Sequence, residues 1–203
     1  MSVRRAALIG AAGPIGFLAV SFAMAALRPE LIRAQGWASW PSAMATGGPP
    51  GSIPQTLAFL WLGGCYLVFA LWALRPVLHS PVVTWGFIAI ACGDAMLAFT
   101  TDVPDVDPTW HGSLHLAGVL LATAATVVAT AASLVAVRGR PGWRPWRIAS
   151  CVLFAAALIG LVGGFVQGWA KVVYVLGITL PVPVLAWQVA RAREELPPAG
   201  PRP

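Results

Sequence analysis

Charged residues are scarce in this chain. Only 10% of its 203 residues are Asp, Glu, Lys or Arg, and 58% are hydrophobic, whereas a soluble globular domain carries about 25% charged residues. So few charges cannot keep such a surface in water, which excludes an ordinary soluble domain. The net charge of +6 does not indicate nucleic-acid binding, because the basic residues lie between long apolar runs instead of clustering. The composition predicts an all-α protein in a lipid bilayer.

Cysteine is also rare, and the familiar motifs of soluble enzymes are missing. The three cysteines, Cys65, Cys92 and Cys151, stand far apart and form no CxxC pair. The sequence has no phosphate-binding loop, no nucleophile elbow around a serine and no haem motif. Its chemistry must therefore come from a few polar residues set among apolar helices.

Six apolar runs are long enough to cross a membrane, for which a helix needs about 20 residues. They cover approximately residues 6–27, 55–74, 82–99, 113–137, 148–167 and 172–190. We predict a single six-helix transmembrane bundle over residues 1–193 and a disordered cytoplasmic tail over 194–203. The outer loop 28–54 is long for a helical hairpin, and loops of this length often act as lids.

The basic residues predict the orientation of the bundle, because they concentrate on the cytoplasmic side of membrane proteins. With the N-terminus inside, ten lie inside and only Arg28, Arg33 and Lys171 lie outside. Both termini are thus expected in the cytoplasm. Arg outnumbers Lys twelve to one, which is typical of a GC-rich bacterial genome and points to the bacterial inner membrane. Tryptophans near the span ends suggest an aromatic belt at headgroup depth: Trp37, Trp40, Trp85, Trp110, Trp143, Trp146, Trp169 and Trp187.

Small residues repeat along two of the predicted spans. Gly160, Gly164 and Gly168 follow at intervals of four in and after the fifth span; they would let another helix approach closely, either within the bundle or in a homodimer. The fourth span has a similar stripe, which runs through Gly118, Ala122, Thr126 and Thr130. Pro181 and Pro183 predict a kink in the sixth span.

Acidic residues and histidines gather between the third and fourth spans. Asp102, Asp105 and Asp107 precede His111 and His115. Asp107 followed by Pro108 predicts a helix start, with Asp as the N-cap and Pro at the first helical position. His111 and His115, four residues apart, would then share one helix face.

The third span carries Asp94, the only acidic residue within a predicted span. An ionisable residue in a span is a candidate functional group, and its depth would allow it to meet His115. Asp94, Asp102 and His115 are the predicted catalytic residues. Four further residues approach the same outer level and are predicted to contact a substrate: Trp110, Gln167, Lys171 and Tyr174.

Three interpretations of this cluster remain open. Asp94 and His115 can form a buried structural pair. Asp102 or Asp94 can act with His115 as an acid–base pair. His111 and His115 can bind zinc together with a carboxylate, since two histidines four apart on a helix suit that ion, although a third histidine is missing.

The segment from Phe99 to His115 resembles the prokaryotic integral membrane family called domain of unknown function 998. Members have a Phe-Pro-x-Asp element at the end of the third helix, a Gly-x-x-His element at the start of the fourth and a Trp near the end of the last. Here Asp102, Gly112, His115 and Trp187 fill those positions. The resemblance covers nearly the whole length and implies six helices, with Asp102 and His115 as the more important acid and histidine.

Two departures from the family stand out. Thr100 replaces the usual Pro, and Gln167 is followed by Gly168 where many members have a basic residue. The family has no established activity. The spacing of His111 and His115 is also similar to that in membrane hydrolases related to alkaline ceramidases, whose further ligands we do not find here.

These patterns predict a polar cavity open to the outer leaflet, in which membrane lipid or a small lipophilic molecule, such as a prenyl chain, is bound or altered. Asp and His would then perform acid–base chemistry in hydrolysis, isomerisation or cyclisation. A proton-coupled carrier, a binding protein and a structural subunit without chemistry of its own are the alternatives.

Overall fold

The computed structural model of the chain describes residues 1–37, 40–46, 52–99, 109–162 and 168–194. Within these ranges the fold is all-helical, as the composition predicts, and has no strand. The helices are α1 (Val3–Leu27), α2 (Pro29–Gln35), α3 (Ile53–Phe69), α4 (Arg75–Leu78), α5 (Pro81–Met96), α6 (Trp110–Ala136), α7 (Arg144–Val162), α8 (Trp169–Thr179) and α9 (Pro181–Glu194).

Five segments of the described chain are long and apolar enough to cross a membrane. They are Val3–Leu27, Ile53–Leu78, Trp110–Ala136, Arg144–Val162 and Trp169–Ala192. Each matches a predicted span, with its ends shifted by a few residues. The remaining predicted span, 82–99, is the shorter α5 of 16 residues, which rises about 24 Å. The fold is compatible with a multi-pass membrane protein.

Two of the long segments are interrupted near a proline. Between α3 and α4 the backbone forms a π-helical turn at Ala70–Leu74. Pro76 follows this turn and has no N–H to donate to the carbonyl of Trp72, so a wider turn is expected here. The last segment is divided at Leu180, where α8 ends, and α9 begins at Pro181, which is where the sequence predicts a kink.

Helices α5 and α6 pack closely through the small-residue stripe that the sequence predicts on α6. A Cβ atom added to Gly93 of α5 would come within 2.8 Å of the carbonyl oxygen of Gly118 and of the amide nitrogen of Ala122. Backbone therefore lies against backbone at this crossing. The α1–α3 crossing is also tight, since a Cβ at Gly13 would lie 2.7 Å from the Cβ of Cys65.

Contacts at the helix ends show which loops lie at the same end of the bundle. Arg4 of α1 and Arg191 of α9 line one groove, and the Arg140 guanidinium donates to the Val77 carbonyl at 3.3 Å. The loops after α4 and α6 are therefore neighbours. Arg28, at the end of α1, donates to the Thr46 carbonyl at 3.1 Å and so holds down part of the loop between α1 and α3.

The start of α6 differs from the prediction. The helix begins at Trp110, and its N-cap is Thr109, whose hydroxyl accepts from the Gly112 amide at 3.1 Å. Asp107 is therefore not the N-cap of this helix. Asp107 and Pro108 lie outside the described residues.

Three of the predicted belt tryptophans are instead part of the core. Trp40, Trp143 and Trp146 are at most 4% exposed. The indole of Trp40 donates to the Ser21 carbonyl at 3.2 Å, and that of Trp146 donates to the Ser133 hydroxyl at 3.0 Å. The interior satisfies both indole N–H groups, so these rings need no water. Trp85, Trp110, Trp169 and Trp187 are exposed on the surface, as a belt requires.

Candidate functional site: a central cavity

A cavity of about 90 Å³ runs between α3, α5, α6 and α8, and we call it the central cavity. On α6 its lining extends from Val119 to Thr130, which is a rise of about 16 Å. A volume of this size spread over that length gives a narrow slot. Most of its walls are aromatic or aliphatic, and the polar side chains among them are Ser42, Tyr66, Asp94, Thr123, Thr126, Thr130, Lys171, Tyr174 and Thr179.

Asp94 brings a carboxyl group into this apolar slot. It lies in the last turn of α5, is 5% exposed, and lines the central cavity. Its Oδ2 atom has no hydrogen-bond partner among the described residues. A buried polar atom without a partner is costly, so Asp94 is the group here that a bound molecule would satisfy best.

The two tyrosines of the chain flank the same slot. Tyr66 of α3 and Tyr174 of α8 both line the central cavity together with Asp94. Tyr174 is also hydrogen-bonded to Thr123 of α6, with 2.6 Å between the hydroxyl oxygens. Since the Thr123 hydroxyl gives its proton to the Val119 carbonyl at 2.8 Å, Tyr174 is the donor of this pair. Its oxygen can still accept from a ligand.

Lys171, the only lysine in the sequence, also lines the central cavity. It lies in the first turn of α8, is 9% exposed, and its ammonium nitrogen is 5.3 Å from the centroid of the Tyr174 ring. An ammonium group at this distance interacts favourably with an aromatic face. The slot thus contains one potential anion and one potential cation.

His115 is buried beside the cavity, where it connects three segments of the chain. Its Nδ1 lies 2.7 Å from the Phe99 carbonyl oxygen, and its Nε2 lies 2.9 Å from the Ser42 hydroxyl oxygen. Because a carbonyl only accepts, Nδ1 carries a proton, and in the neutral ring Nε2 accepts from Ser42. Both nitrogens therefore have partners other than Asp94, and no contact between Asp94 and His115 is found among the described residues.

His111 and Trp110 lie outside the central cavity. His111 Nδ1 is 2.8 Å from the Thr109 hydroxyl oxygen, and Trp110 is 71% exposed with its ring against Phe99. Within the described ranges no three His, Cys, Asp or Glu side chains form a possible metal site. The loop carboxylates that could complete a zinc site with His111 and His115 lie outside the described residues, so the zinc interpretation stays a prediction.

Several predicted residues lie outside the described part of the chain. Asp102, Asp105 and Gln167 belong to this group, as does Gly164 of the glycine repeat. Gly160 packs against the Tyr174 ring within the chain, whereas Gly168 has a positive φ of 59° and is the N-cap of α8. Gly160 and Gly168 therefore belong to different helices.

Sequence reasoning missed Tyr66, Thr123 and Thr179 as cavity residues. A usable indication existed for Tyr66, since the chain has only two tyrosines and both lie within apolar runs. Nothing distinguishes the threonines, because Thr is common in membrane helices as a local hydrogen-bond donor to its own backbone. No family model, curated protein or solved structure matches this chain, so its resemblance to domain of unknown function 998 stays a prediction.

Proposed function

We propose that this chain is a six-span membrane protein whose central cavity binds a slender lipophilic molecule by its polar end. The observation that carries this proposal is the unpartnered, buried Oδ2 of Asp94 in an apolar slot. A carboxyl group in a membrane helix costs about 2.5–3.5 kcal/mol on insertion scales. A ligand with a hydroxyl or amine donor would supply the missing hydrogen bond and offset part of that cost.

Six spans require α5 to cross the membrane together with the five longer segments. Helix α5 packs closely on α6 through Gly93 and on α3, where a Cβ at Gly63 would come within 2.7 Å of the Ala91 carbonyl oxygen. A helix held on two sides by spanning helices is at the same depth as they are. Local thinning of the bilayer accommodates a short span at modest cost.

The shape of the slot favours a single chain over a bulky ring system. Phe17, Phe59 and Phe87 form part of its apolar wall, and a volume of about 90 Å³ beside about 16 Å of α6 suits a slender chain. An isoprenoid or alkyl chain would bury its carbons there, at roughly 0.8 kcal/mol for each CH₂ group. Its polar end would lie at Asp94, Tyr66 and Tyr174.

If the bound molecule is altered, Asp94 is the acid–base group that the described residues support. It can exchange a proton with the polar end or with a double bond nearby, as in isomerisation or acid-initiated cyclisation, while Tyr174 accepts a hydrogen bond and holds the ligand. His115 would hold the neighbouring segments in place and would take no part in the proton transfer. Asp102, by its resemblance to the family motif, remains a second candidate acid.

A photoreactive probe tests the binding proposal. The full chain in detergent is exposed to a C15 isoprenoid alcohol carrying a diazirine and an alkyne, and labelled peptides are mapped. We expect labels on cavity residues of α3, α6 or α8. Asp94→Leu should lower labelling by several-fold to about tenfold, since a hydrogen bond contributes about 0.5–1.5 kcal/mol, and Asp94→Asn should retain part of it.

The matched control is Gln188→Leu. Gln188 is 4% exposed and its Nε2 is also unpartnered in the described chain, but it does not line the cavity. This variant should label like the parent. Equal labelling of Asp94→Leu and the parent, or equal loss in both leucine variants, would contradict a ligand site at Asp94.

A proton-coupled carrier is the second candidate, and the length of the cavity favours it. Beyond Asp94 the slot continues past the hydroxyls of Thr126, Thr130 and Thr179, towards the end of the bundle where α1 begins and α9 ends. A carrier would move a labelled short-chain alcohol across proteoliposomes faster when a pH gradient is applied. Equal flux in empty and loaded vesicles would dismiss it.

A further inference from the structure

A second cavity lies at the other end of the bundle, between the first and last helices. This terminal groove has a volume of about 430 Å³ and is formed by Arg4, Ala7, Leu8 and Ala11 of α1 and by Pro183, Ala186, Trp187, Ala190 and Arg191 of α9. It shares no residue with the central cavity.

The groove has a buried floor and exposed rims. Ala7 and Ala186 are 2% and 1% exposed and form the floor, whereas Leu8 and Trp187 are 63% and 51% exposed and stand at the sides. From Arg4 to Ala11 the α1 wall rises about 10 Å. This depth fits the glycerol region and the first carbons of an acyl chain.

Positive charge is placed at the open end of the groove. Arg4 and Arg191 are both exposed and lie on opposite walls. The Arg191 guanidinium is 5.8 Å from the centroid of the Trp187 ring, which holds it at the rim. In the sequence, Arg5 and Arg193 add positive charge close to these two arginines, and Glu194 and Glu195 add negative charge after them. Guanidinium groups bind phosphate through paired hydrogen bonds.

We infer that the terminal groove binds an anionic phospholipid, with its phosphate at Arg4 and Arg191 and the start of an acyl chain on the alanine floor. Charge complementarity identifies the occupant, because a basic recess between transmembrane helices at headgroup depth attracts anionic lipid. The inference does not depend on the function of the central cavity. The orientation of the chain decides only which leaflet supplies the lipid.

Lipid titration with native mass spectrometry tests this inference on the full chain in detergent. The probes are dioleoyl phosphatidylglycerol and dioleoyl phosphatidylcholine. We expect the parent to bind phosphatidylglycerol at least about tenfold more tightly, and the double variant Arg4→Gln/Arg191→Gln to lose that preference. The matched double variant Arg138→Gln/Arg144→Gln removes two exposed arginines outside the groove, Arg138 after α6 and Arg144 at the start of α7, and should keep it.

A groove-filling variant separates the recess from its charge. Ala11→Leu leaves both arginines in place and puts a larger side chain into the groove. The affinity for phosphatidylglycerol should therefore fall several-fold, while the helix content stays unchanged. Three outcomes would overturn the inference: no preference in the parent, equal loss in the two double variants, or unchanged affinity in Ala11→Leu. Inorganic phosphate that displaces the lipid at equal concentration would likewise overturn it.

Discussion

At the residue scale, the chain places its rarest polar side chains together. Its only lysine, its two tyrosines and the one acid within a predicted span all line the central cavity. In a helix surrounded by lipid such residues face the bundle interior, because hydrocarbon offers no hydrogen bonds. The predicted span ends placed Asp94, Lys171 and Tyr174 near one level, and all three line the central cavity.

The partners of His115 were beyond the reach of sequence reasoning. Ser42 is 73 residues away along the chain, and no local pattern connects the two positions. The resemblance to a Gly-x-x-His element singled out His115 but could not distinguish chemistry from architecture. In the structure, hydrogen bonds to Phe99 and Ser42 join α6 to the segment after α5 and to the loop between α2 and α3.

Replacing His115 tests this structural role. His115→Ala leaves the Phe99 carbonyl and the Ser42 hydroxyl without partners, so we expect the free energy of unfolding to fall by about 2–4 kcal/mol. Ser42→Ala removes one hydrogen bond and should cost about 1 kcal/mol. Thermal unfolding in detergent measures both.

The same variants discriminate between architecture and catalysis. Below the melting temperature, His115→Ala should still take up the isoprenoid probe at the central cavity. A variant as stable as the parent that no longer reacts with the probe would instead make His115 a member of the binding or catalytic machinery.

At the element scale, the sequence predicted where helices could approach but not which helix would meet which stripe. The α6 stripe was visible as Gly118 and Ala122, and its partner proved to be Gly93 of α5. The repeat of Gly160, Gly164 and Gly168 was visible too, and of its two described members Gly160 packs against Tyr174 of α8 while Gly168 is the N-cap of α8. Small residues permit close packing, and the tertiary arrangement decides where it occurs.

The helix boundaries also show which features the local sequence can predict and which it cannot. Pro181 predicted a break because a missing N–H acts locally, and the break is there. The N-cap of α6 was assigned to Asp107 although Thr109 takes that position. Two capping residues two apart compete, and local sequence does not decide between them.

A glycine pair tests the α5–α6 crossing. A Cβ at Gly118 would come within 2.8 Å of the Gly93 carbonyl oxygen, whereas a Cβ at Gly64 of α3 meets nothing within 4 Å. Gly118→Ala should therefore lower the free energy of unfolding by about 1–3 kcal/mol. Gly64→Ala should raise it by about 0.5–1 kcal/mol, because alanine favours the helix. Equal effects of the two substitutions would mean that the crossing is not tight.

At the scale of the whole molecule, hydropathy alone predicted most of the fold, because long apolar runs leave few arrangements in a membrane. It could not tell which tryptophans face inward. Trp40, Trp143 and Trp146 lie near span ends like the exposed ones, but buried hydrogen-bond acceptors receive the indoles of Trp40 and Trp146. Hydropathy also did not predict that α5 ends at Met96, three residues before the predicted end of that span, which leaves the helix shorter than a normal span.

The membrane topology depends on α5, because its crossing decides whether the number of spans is even. With α5 in the membrane, six crossings place both termini on one side, where the surplus of basic residues predicts the cytoplasm. Arg4 and Arg191 at one end of the bundle agree with this. Five crossings would instead place the C-terminus outside.

Reporter fusions in a bacterial host distinguish these topologies. Green fluorescent protein fused after residue 203 should fluoresce, and alkaline phosphatase at the same position should be inactive, since it needs the oxidising periplasm for its disulfides. Phosphatase inserted after Thr46 should be active, which controls for expression and export. An active phosphatase at the C-terminus would show that α5 does not cross, and would move Asp94 from the bilayer to its surface. The cost that a ligand is proposed to offset would then disappear, so this measurement bears on the function as well as on the fold.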